Sequence, residues 1–126
     1  MTDRKRILVL DDDEDICFLM DMYLKKMGIA ADFVTRGDEA VERYRQAFVS
    51  GDRYAAAILD LHVAGSAGGK DVAAQLLAID SAAVLIVMSG DEYDPVMVDY
   101  LQHGFSARMA KPFRYDAAAE VIGRIV

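Results

Sequence analysis

The sequence predicts an α/β fold in which one doubly wound, parallel sheet is covered by helices on both faces. Short apolar runs alternate along the chain with longer segments whose apolar residues recur at helical spacing. Several of the apolar runs end at an acid or another polar residue, which is where open α/β sheets place their chemistry. The length of 126 residues fits one domain with a core large enough to fold alone.

Five segments have the composition of strands. The first, third and fourth are almost entirely apolar, which is typical of strands that are buried on both faces of a sheet. The second is a weaker match and the fifth is short. The predicted strands are residues 6–11, 31–35, 54–60, 83–88 and 106–110. We expect the order 2-1-3-4-5, which is a common order for sheets of this class.

The segments between the strands have helical spacing of apolar residues. In the first helix the apolar side is formed by Ile16, Leu19, Met20, Tyr23, Leu24 and Met27, and Gly28 supplies the stop. Asp94-Pro95 has the pattern of an N-cap followed by proline at the first helical position. It predicts a fourth helix that continues to a stop at Gly104. The predicted helices are residues 14–27, 37–50, 70–79, 95–104 and a segment after Pro112.

Composition excludes several classes of function. The net charge of −7 argues against a nucleic-acid-binding surface, and the only basic cluster is Arg4-Lys5-Arg6. One cysteine, Cys17, cannot form an intramolecular disulfide and fits a reducing compartment. No apolar run approaches the roughly 18 residues of a membrane helix. We therefore expect a single cytoplasmic domain over residues 1–126, without a membrane segment and without an effector domain after the last helix.

The residues that end the predicted strands form a chemically coherent set. Asp11 and Asp12 follow the first strand and Asp60 ends the third, while Ser89 and Lys111 follow the fourth and fifth. Because the carboxyl ends of parallel strands meet at one edge of a sheet, these side chains should lie close together. Three acids, a hydroxyl and a lysine are what Mg²⁺ binding and phosphoryl transfer to a carboxylate would require.

The adjacent acids indicate a hard metal ion. Asp11 and Asp12 repel each other near Asp60 unless a cation is present, and carboxylate oxygens favour Mg²⁺ or Mn²⁺ over softer metals. An alternative is that residues 11–15 are only a solvated acidic turn that caps the first helix. An EF-hand fits poorly, because Ile16 and Met22 stand where its loop needs glycine and glutamate.

Two nucleotide-binding motifs are also excluded. The segment Gly65–Lys70 is one residue short of a P-loop, and Asp71 stands where a serine or threonine should bind Mg²⁺. A dinucleotide site needs a glycine-rich first β/α turn, and this turn is acidic. His62 and His103 lack metal-ligand spacing, so surface or loop positions are expected for both.

Four motifs in order resemble the receiver domain of bacterial two-component response regulators. They are Ile-Leu-Val-Leu-Asp-Asp-Asp-Glu-Asp at 7–15, Ile-Leu-Asp-Leu at 58–61, Met-Ser-Gly at 88–90 and Ala-Lys-Pro-Phe at 110–113. The resemblance covers essentially the whole chain and implies a flavodoxin-like (βα)5 fold. Residues 60–70, 94–97 and 104–106 look more specifically like receivers at the C-terminal end of hybrid sensor histidine kinases.

The resemblance implies a role for each residue of the site. Asp60 would accept a phosphoryl group from phosphohistidine and lose it slowly by hydrolysis. Asp11, Asp12 and the backbone carbonyl of His62 would bind Mg²⁺ together with Asp60. Ser89 and Lys111 would contact the phosphoryl oxygens, and the Lys111–Pro112 bond would be cis.

The resemblance also implies a partner. A sensor histidine kinase or a histidine phosphotransfer domain would dock near the first helix. Cys17, Phe18 and Met22 lie off the main apolar face of that helix and add apolar surface beside the site, although they could instead pack under neighbouring loops. The docking residues expected from this are Ile16, Cys17, Leu19 and Met22.

Departures from the family pattern mark positions where its usual behaviour is in question. Ala64 stands where receivers often have proline, and Arg108 stands where they usually have the aromatic residue of the activation switch. Arg108 could pair with Asp99 or Asp91, or point into solvent. His62 and Asp91 occupy positions at which the family tunes the lifetime of the phosphoryl group, and an acid at 91 could orient or repel water.

A second function from another class uses similar residues. Aspartyl-phosphate phosphatases of the haloacid-dehalogenase type also combine a strand-end aspartate with Ser or Thr, lysine and Mg²⁺. They place the nucleophile on the first strand with a second acid two residues later, which Asp11 and Asp13 could mimic. They need a larger core and usually a cap domain, so we favour the receiver.

Overall fold

A computed structural model describes residues 5–126, so Arg4 of the basic cluster lies outside the described residues. The strands are β1 Arg6–Leu10, β2 Ala30–Val34, β3 Ala56–Asp60, β4 Leu85–Ser89 and β5 Ala107–Ala110. The helices are α1 Glu14–Lys26, α2 Gly37–Ser50, α3 Gly69–Ile79, α4 Pro95–Val98 and α5 Tyr115–Ile125, with a 3₁₀ helix at Tyr100–His103. All five predicted strands are present, with bounds that differ by one or two residues.

The five strands form one parallel sheet in the order β2-β1-β3-β4-β5, which confirms the predicted α/β fold and its strand order. Leu10 at the end of β1 pairs with Leu59, the residue before Asp60. Asp60 is opposite Met88, and Ser89 is opposite Ala110, the residue before Lys111. The register therefore brings the polar ends of four strands to the same edge of the sheet.

Apolar residues are buried on both faces of the sheet. Leu8, Leu10 and Leu59 point to the layer of α2, α3 and α4, where they pack with residues such as Leu76. Ile7, Val9 and Ile58 point to the other layer, where α1 and α5 contribute Met20, Leu24, Ala118 and Ile122. The six strand residues named here have no exposed surface. Burial on both faces explains why these strands are continuous apolar runs rather than alternating ones.

Helix α1 begins at the N-cap Asp13, whose Oδ1 accepts hydrogen bonds from the amides of Asp15 and Ile16 at 2.9 and 3.4 Å. It ends one residue before the predicted Met27, and Gly28 takes the left-handed conformation with φ +75°. The predicted apolar side faces the core, with Met20 and Leu24 fully buried and the others partly buried. Helical spacing thus predicted both the element and its inward face.

The predicted fourth helix is wrong in its length. Instead of continuing to Gly104, α4 ends at Val98, and a 3₁₀ helix follows after Asp99. The Arg108 guanidinium donates a hydrogen bond from Nη1 to the Met97 carbonyl at 3.0 Å, a group that a continuous helix would pair with an amide four residues later. The stop at Gly104 is confirmed, with φ +86°. A contact from β5 thus occupies the acceptor that a longer helix would use.

Among the residues that the structure describes, no helix combines the length and the apolar character needed to cross a bilayer.

Candidate functional site

The three predicted acids converge at the edge of the sheet. Each of Asp11, Asp12 and Asp60 offers a carboxylate oxygen, and these oxygens lie within 4.8 Å of one another. Asp11 is fully buried and Asp60 is 6% exposed, whereas Asp12 is exposed. The ends of β1 and β3 are neighbours in the sheet, which explains the convergence. Such a cluster of oxygen ligands suits Mg²⁺ or Mn²⁺.

Lys111 lies between the two buried acids. Its Nζ is 2.7 Å from Asp11 Oδ2 and 3.3 Å from Asp60 Oδ2. Burial acts to lower the pKa of Lys111, but the hydrogen bond and charge of Asp11, together with the charge of Asp60, outweigh it and raise that pKa. The Lys111 amide donates to the Ser89 carbonyl at 2.8 Å, and the Lys111–Pro112 bond is cis, as the resemblance implies.

One lysine does not neutralise the cluster. Burial raises the pKa of Asp60 to about 6, and the negative charge of Asp11 adds to this, while Lys111 opposes both. Asp11 Oδ2 is buried and, within residues 5–126, has no polar partner other than the Lys111 ammonium at 2.7 Å. Three acids against one ammonium leave excess negative charge at this site. A divalent cation therefore fits the donor set and the charge.

The acidic residues at 11–15 occupy two different structural positions, one in the acidic cluster and one at the start of α1. Asp11 and Asp12 belong to the acidic cluster, whereas Asp13 caps α1. The Asp13 amide also donates to Asp11 Oδ1 at 2.9 Å, which fixes the orientation of that buried carboxylate. The reading of this run as a helix cap therefore holds for Asp13 and not for its two predecessors.

Asp12 is held by the loop that follows β3. The Ala64 amide donates a hydrogen bond to Asp12 Oδ2 at 3.2 Å. Proline at position 64 would have no amide hydrogen for this bond. The departure from the family pattern at Ala64 thus has a structural consequence that the sequence alone did not reveal, because the bond joins residues far apart in the chain.

Two glycines bring the same loop close to the end of β3. A Cβ atom at Gly68 would lie 2.1 Å from the Leu61 carbonyl oxygen, and one at Gly69 would lie 2.9 Å from the Asp60 carbonyl oxygen. Both contacts are too short for any side chain. The glycine cluster therefore serves close backbone packing beside Asp60, which agrees with the rejection of a P-loop.

Ser89 is buried at the end of β4 with 2% exposure. Its Oγ accepts a hydrogen bond from the Asp91 amide at 3.1 Å, which leaves the hydroxyl hydrogen free to be donated. Asp91 Oδ1 accepts from the Tyr93 amide at 3.0 Å. The Asp91 carboxylate is thus engaged with its own loop.

Comparison with known proteins agrees with this geometry. The response regulator receiver domain family matches residues 7–122. The chain belongs to this family. Among curated relatives, the transcription factor SKN7 of Candida albicans is 27% identical over 118 residues. That match covers 94% of this chain and 20% of the relative, so the receiver spans about a fifth of the length of this relative.

Solved structures share the receiver fold. The receiver domain of a sensor histidine kinase from Pseudomonas aeruginosa PAO1, with a magnesium ion coordinated in its active-site cleft, has a TM-score of 0.84 at 19% identity, covering 97% of both chains. A chain of the CheX–CheY–BeF3–Mg²⁺ complex from Borrelia burgdorferi has a TM-score of 0.87 at 18% identity, covering 96% of this chain and 88% of that one. At these identities the likeness shows the fold alone.

This receiver has a positively charged residue in place of the usual aromatic one, and the expected pairing of that residue with Asp99 or Asp91 is wrong. Arg108 makes no ion pair with Asp99 or Asp91, and it is exposed to solvent, as the other expectation for this residue stated. Its guanidinium donates to the Met97 carbonyl and lies 5.6 Å from the centre of the Tyr100 ring. Arg108 therefore ties β5 to the end of α4.

The receiver exposes apolar side chains on α1. Phe18 is 69% exposed and Met22 is 50% exposed, so packing under neighbouring loops is wrong for both. Cys17 is partly buried, and its thiol donates to the Asp11 carbonyl with a separation of 3.4 Å. Burial raises the pKa of Cys17 to about 11, with a further contribution from Asp11.

The contact between the His62 side chain and Asp94 is the main feature of the site that sequence reasoning missed. His62 lines an open pocket of about 570 Å³ together with Asp12, Ala64 and Lys70. Its Nε2 lies 3.3 Å from Oδ2 of Asp94, the N-cap of α4. The Asp94-Pro95 pattern predicted the cap, but no periodicity indicates the contact with His62.

Proposed function

We propose that Asp60 is the phosphoacceptor of this two-component receiver and that it takes its phosphoryl group from a phosphohistidine. A carboxylate oxygen of Asp60 bonds to phosphorus as the phosphorus–nitrogen bond breaks, and the electron pair of that bond stays on the histidine nitrogen. The observation that carries the proposal is the position of Asp60, which is nearly buried beside two acids and 3.3 Å from the Lys111 ammonium.

A metal ion completes this site in our proposal. Asp11, Asp12, Asp60 and the backbone carbonyl of His62 would hold Mg²⁺ or Mn²⁺, which neutralises negative charge on the transferring group when bound. The donor set is all oxygen, and the excess negative charge at Asp60 supports it. The Ala64 amide orients Asp12 for this role.

Lys111 and Ser89 would stabilise the phosphoryl group once it is on Asp60. The Lys111 ammonium already contacts Asp60 and could donate to a phosphoryl oxygen from nearly the same place. The Ser89 hydroxyl has an unused hydrogen and lies at the end of the neighbouring strand. Both residues are buried enough for such contacts to be strong.

Labelling with acetyl phosphate tests this assignment. The purified protein with Mg²⁺ should gain one phosphoryl mass, and Asp60→Asn should gain none. Asp12→Ala should lose the divalent-dependent labelling, whereas Asp15→Asn, an exposed acid in the first turn of α1, should be labelled like wild type. Labelling of Asp60→Asn at the wild-type rate would refute the role of Asp60.

The alternative of a haloacid-dehalogenase-type phosphatase finds no support. It would place the nucleophile at Asp11 with its second acid at Asp13. Asp11 is fully buried and ion-paired with Lys111, while the Asp13 carboxylate accepts hydrogen bonds at the start of α1. The matched family is a receiver family. A screen with an aryl phosphate should therefore show no turnover above that of Asp60→Asn.

The phosphodonor domain docks at α1 in our proposal. Ile16, Cys17, Leu19 and Met22 were expected there, and the exposed Phe18 enlarges the apolar surface. Met22→Glu should slow transfer from a phosphohistidine donor and leave acetyl-phosphate labelling intact. Val49→Glu is a matched control, because Val49 is 79% exposed on α2, away from α1. Equal slowing of both reactions by Met22→Glu would contradict docking at this helix.

We also propose that residues 1–126 act as one receiver unit in the cytoplasm. The free thiol of Cys17 is consistent with a reducing compartment. The motifs of this chain look most like those of receivers in hybrid sensor histidine kinases. The receiver domain of a sensor histidine kinase also shares this fold. The transcription-factor relative extends far beyond the matched segment, and the net charge of −7 argues against a nucleic-acid surface on this segment itself.

A further inference from the structure

A side-chain contact connects the loop after β3, which follows Asp60, with the loop after β4. His62 lies in the loop after β3, and Asp94 ends the loop after β4 and caps α4. His62 Nε2 and Asp94 Oδ2 are 3.3 Å apart. The His62 side chain is 73% exposed and that of Asp94 is 18% exposed, so Asp94 is the anchored partner.

The position of this contact follows from the sheet. β3 and β4 are neighbours, Asp60 is opposite Met88, and the Leu61 amide donates to the Met88 carbonyl at 2.9 Å. The loops after the two strands therefore leave the sheet side by side. Asp60 and Ser89 are buried at the base of the gap between them, whereas His62 is exposed. The His62–Asp94 contact accordingly spans the gap on its solvent side.

Asp94 has one carboxylate oxygen more than a helix cap requires. Oδ1 accepts from the Val96 amide at 2.9 Å, and this bond alone satisfies the cap. The chain around Asp94 is also fixed, because Pro95 follows it and its carbonyl accepts from the Val98 amide at 2.9 Å. Oδ2 is thus held in place and available to His62.

We propose that Asp94 is a positioning residue for the hydrolysis of the phosphoryl group on Asp60. In that reaction a water oxygen bonds to phosphorus as the bond to the Asp60 oxygen breaks. The water proton passes to solvent, and inorganic phosphate and the Asp60 carboxylate result. Water must approach in line, opposite the Asp60 oxygen, and hence from the solvent side of the gap. By holding the His62 imidazole there, Asp94 slows this attack.

This inference rests on the proposed function, and loss of label tests it. The protein is phosphorylated with acetyl phosphate and Mg²⁺, the donor is removed, and the phosphoryl group is followed over time. Asp94→Ser keeps a capping oxygen but is too short to reach His62. It should lose phosphate about two- to fivefold faster, the range that the loss of one hydrogen bond allows.

Combined variants separate positioning from a merely structural role. His62→Ala should also hydrolyse faster, and His62→Ala with Asp94→Ser should be no faster than His62→Ala alone. Glu92→Gln, an exposed residue of the same loop, should match wild type. An unchanged rate in Asp94→Ser, or effects that multiply in the double variant, would overturn the inference. If wild type takes up no label, the proposed function itself fails.

Discussion

Replacement of Asp60 by asparagine should stabilise the folded protein at neutral pH in the absence of divalent cations. Burial and the charge of Asp11 raise the pKa of Asp60 from 3.8 to about 6. The folded state therefore holds the Asp60 proton more tightly than the unfolded state does. The protonated carboxyl contributes stability that is fully present below pH 3.8 and is lost as the pH rises through about 6. Asparagine is uncharged, like the protonated carboxyl, so the variant keeps this stability as the pH rises.

The size of the effect follows from the shift. About two pKa units at about 1.4 kcal/mol per unit give about 3 kcal/mol above pH 6. Lys111 keeps its ion pair with Asp11 at 2.7 Å in the variant, so little is lost in exchange. The gain in the free energy of unfolding should shrink toward zero below pH 4. With Mg²⁺ present the gain should also shrink, because wild type binds the ion more tightly than the variant does.

Urea unfolding in EDTA at pH 4, 6 and 7.5 measures this difference. Asp38→Asn is the control, since Asp38 is an exposed acid whose pKa is lowered by its hydrogen bond with Arg36. That variant should show no stabilisation at any of these pH values. If Asp60→Asn is no more stable than wild type at pH 7.5 in EDTA, the account of charge in the site is wrong.

Three further changes probe the surroundings of the site. Gly68→Ala should lower the free energy of unfolding in urea by about 1–3 kcal/mol, because its Cβ would meet the Leu61 carbonyl. Gly123→Ala is the control: its Cβ has open space on α5, so the free energy of unfolding should be unchanged or higher. Lys111→Met should lower the free energy of unfolding by about 3 kcal/mol at pH 7.5, since it leaves two buried acids without their ammonium partner. The loss should be smaller at pH 4, because Asp60 is then protonated. Arg108→Ala should cost about 1 kcal/mol and speed amide hydrogen exchange in residues 95–103 while leaving α1 unchanged, because it removes the bond to the Met97 carbonyl. Equal exchange in both proteins would show that Arg108 does not hold α4.

The sequence predicted the parts of the molecule that depend on short-range patterns and on sheet geometry. Continuous apolar runs predicted the buried strands, and parallel strands bring their carboxyl ends to one edge. These two arguments were enough to predict that Asp11, Asp12 and Asp60 lie together, which the structure shows. The structure also places Lys111 between Asp11 and Asp60. The family resemblance added the cis bond before Pro112, which is present.

Contacts between distant loops could not be predicted in the same way. The Ala64 amide reaches Asp12, and His62 reaches Asp94, through loop conformations that no periodic pattern encodes. The fourth helix illustrates the same limit, since the Met97 carbonyl near its end accepts a hydrogen bond from Arg108 on β5 rather than from an amide of a longer helix. Local propensity predicted where that segment begins and stops, but not its division into α4 and a 3₁₀ helix.

Direct localisation of the phosphoryl group tests the central claim. After labelling with Mg²⁺ and a phosphohistidine donor, borohydride converts an aspartyl phosphate to homoserine, which tandem mass spectrometry places in the sequence. We predict conversion at Asp60 alone, with Asp11 and Asp12 unmodified. Conversion at Asp11 or Asp12, or an unmodified Asp60 in protein that carries label, would contradict the account.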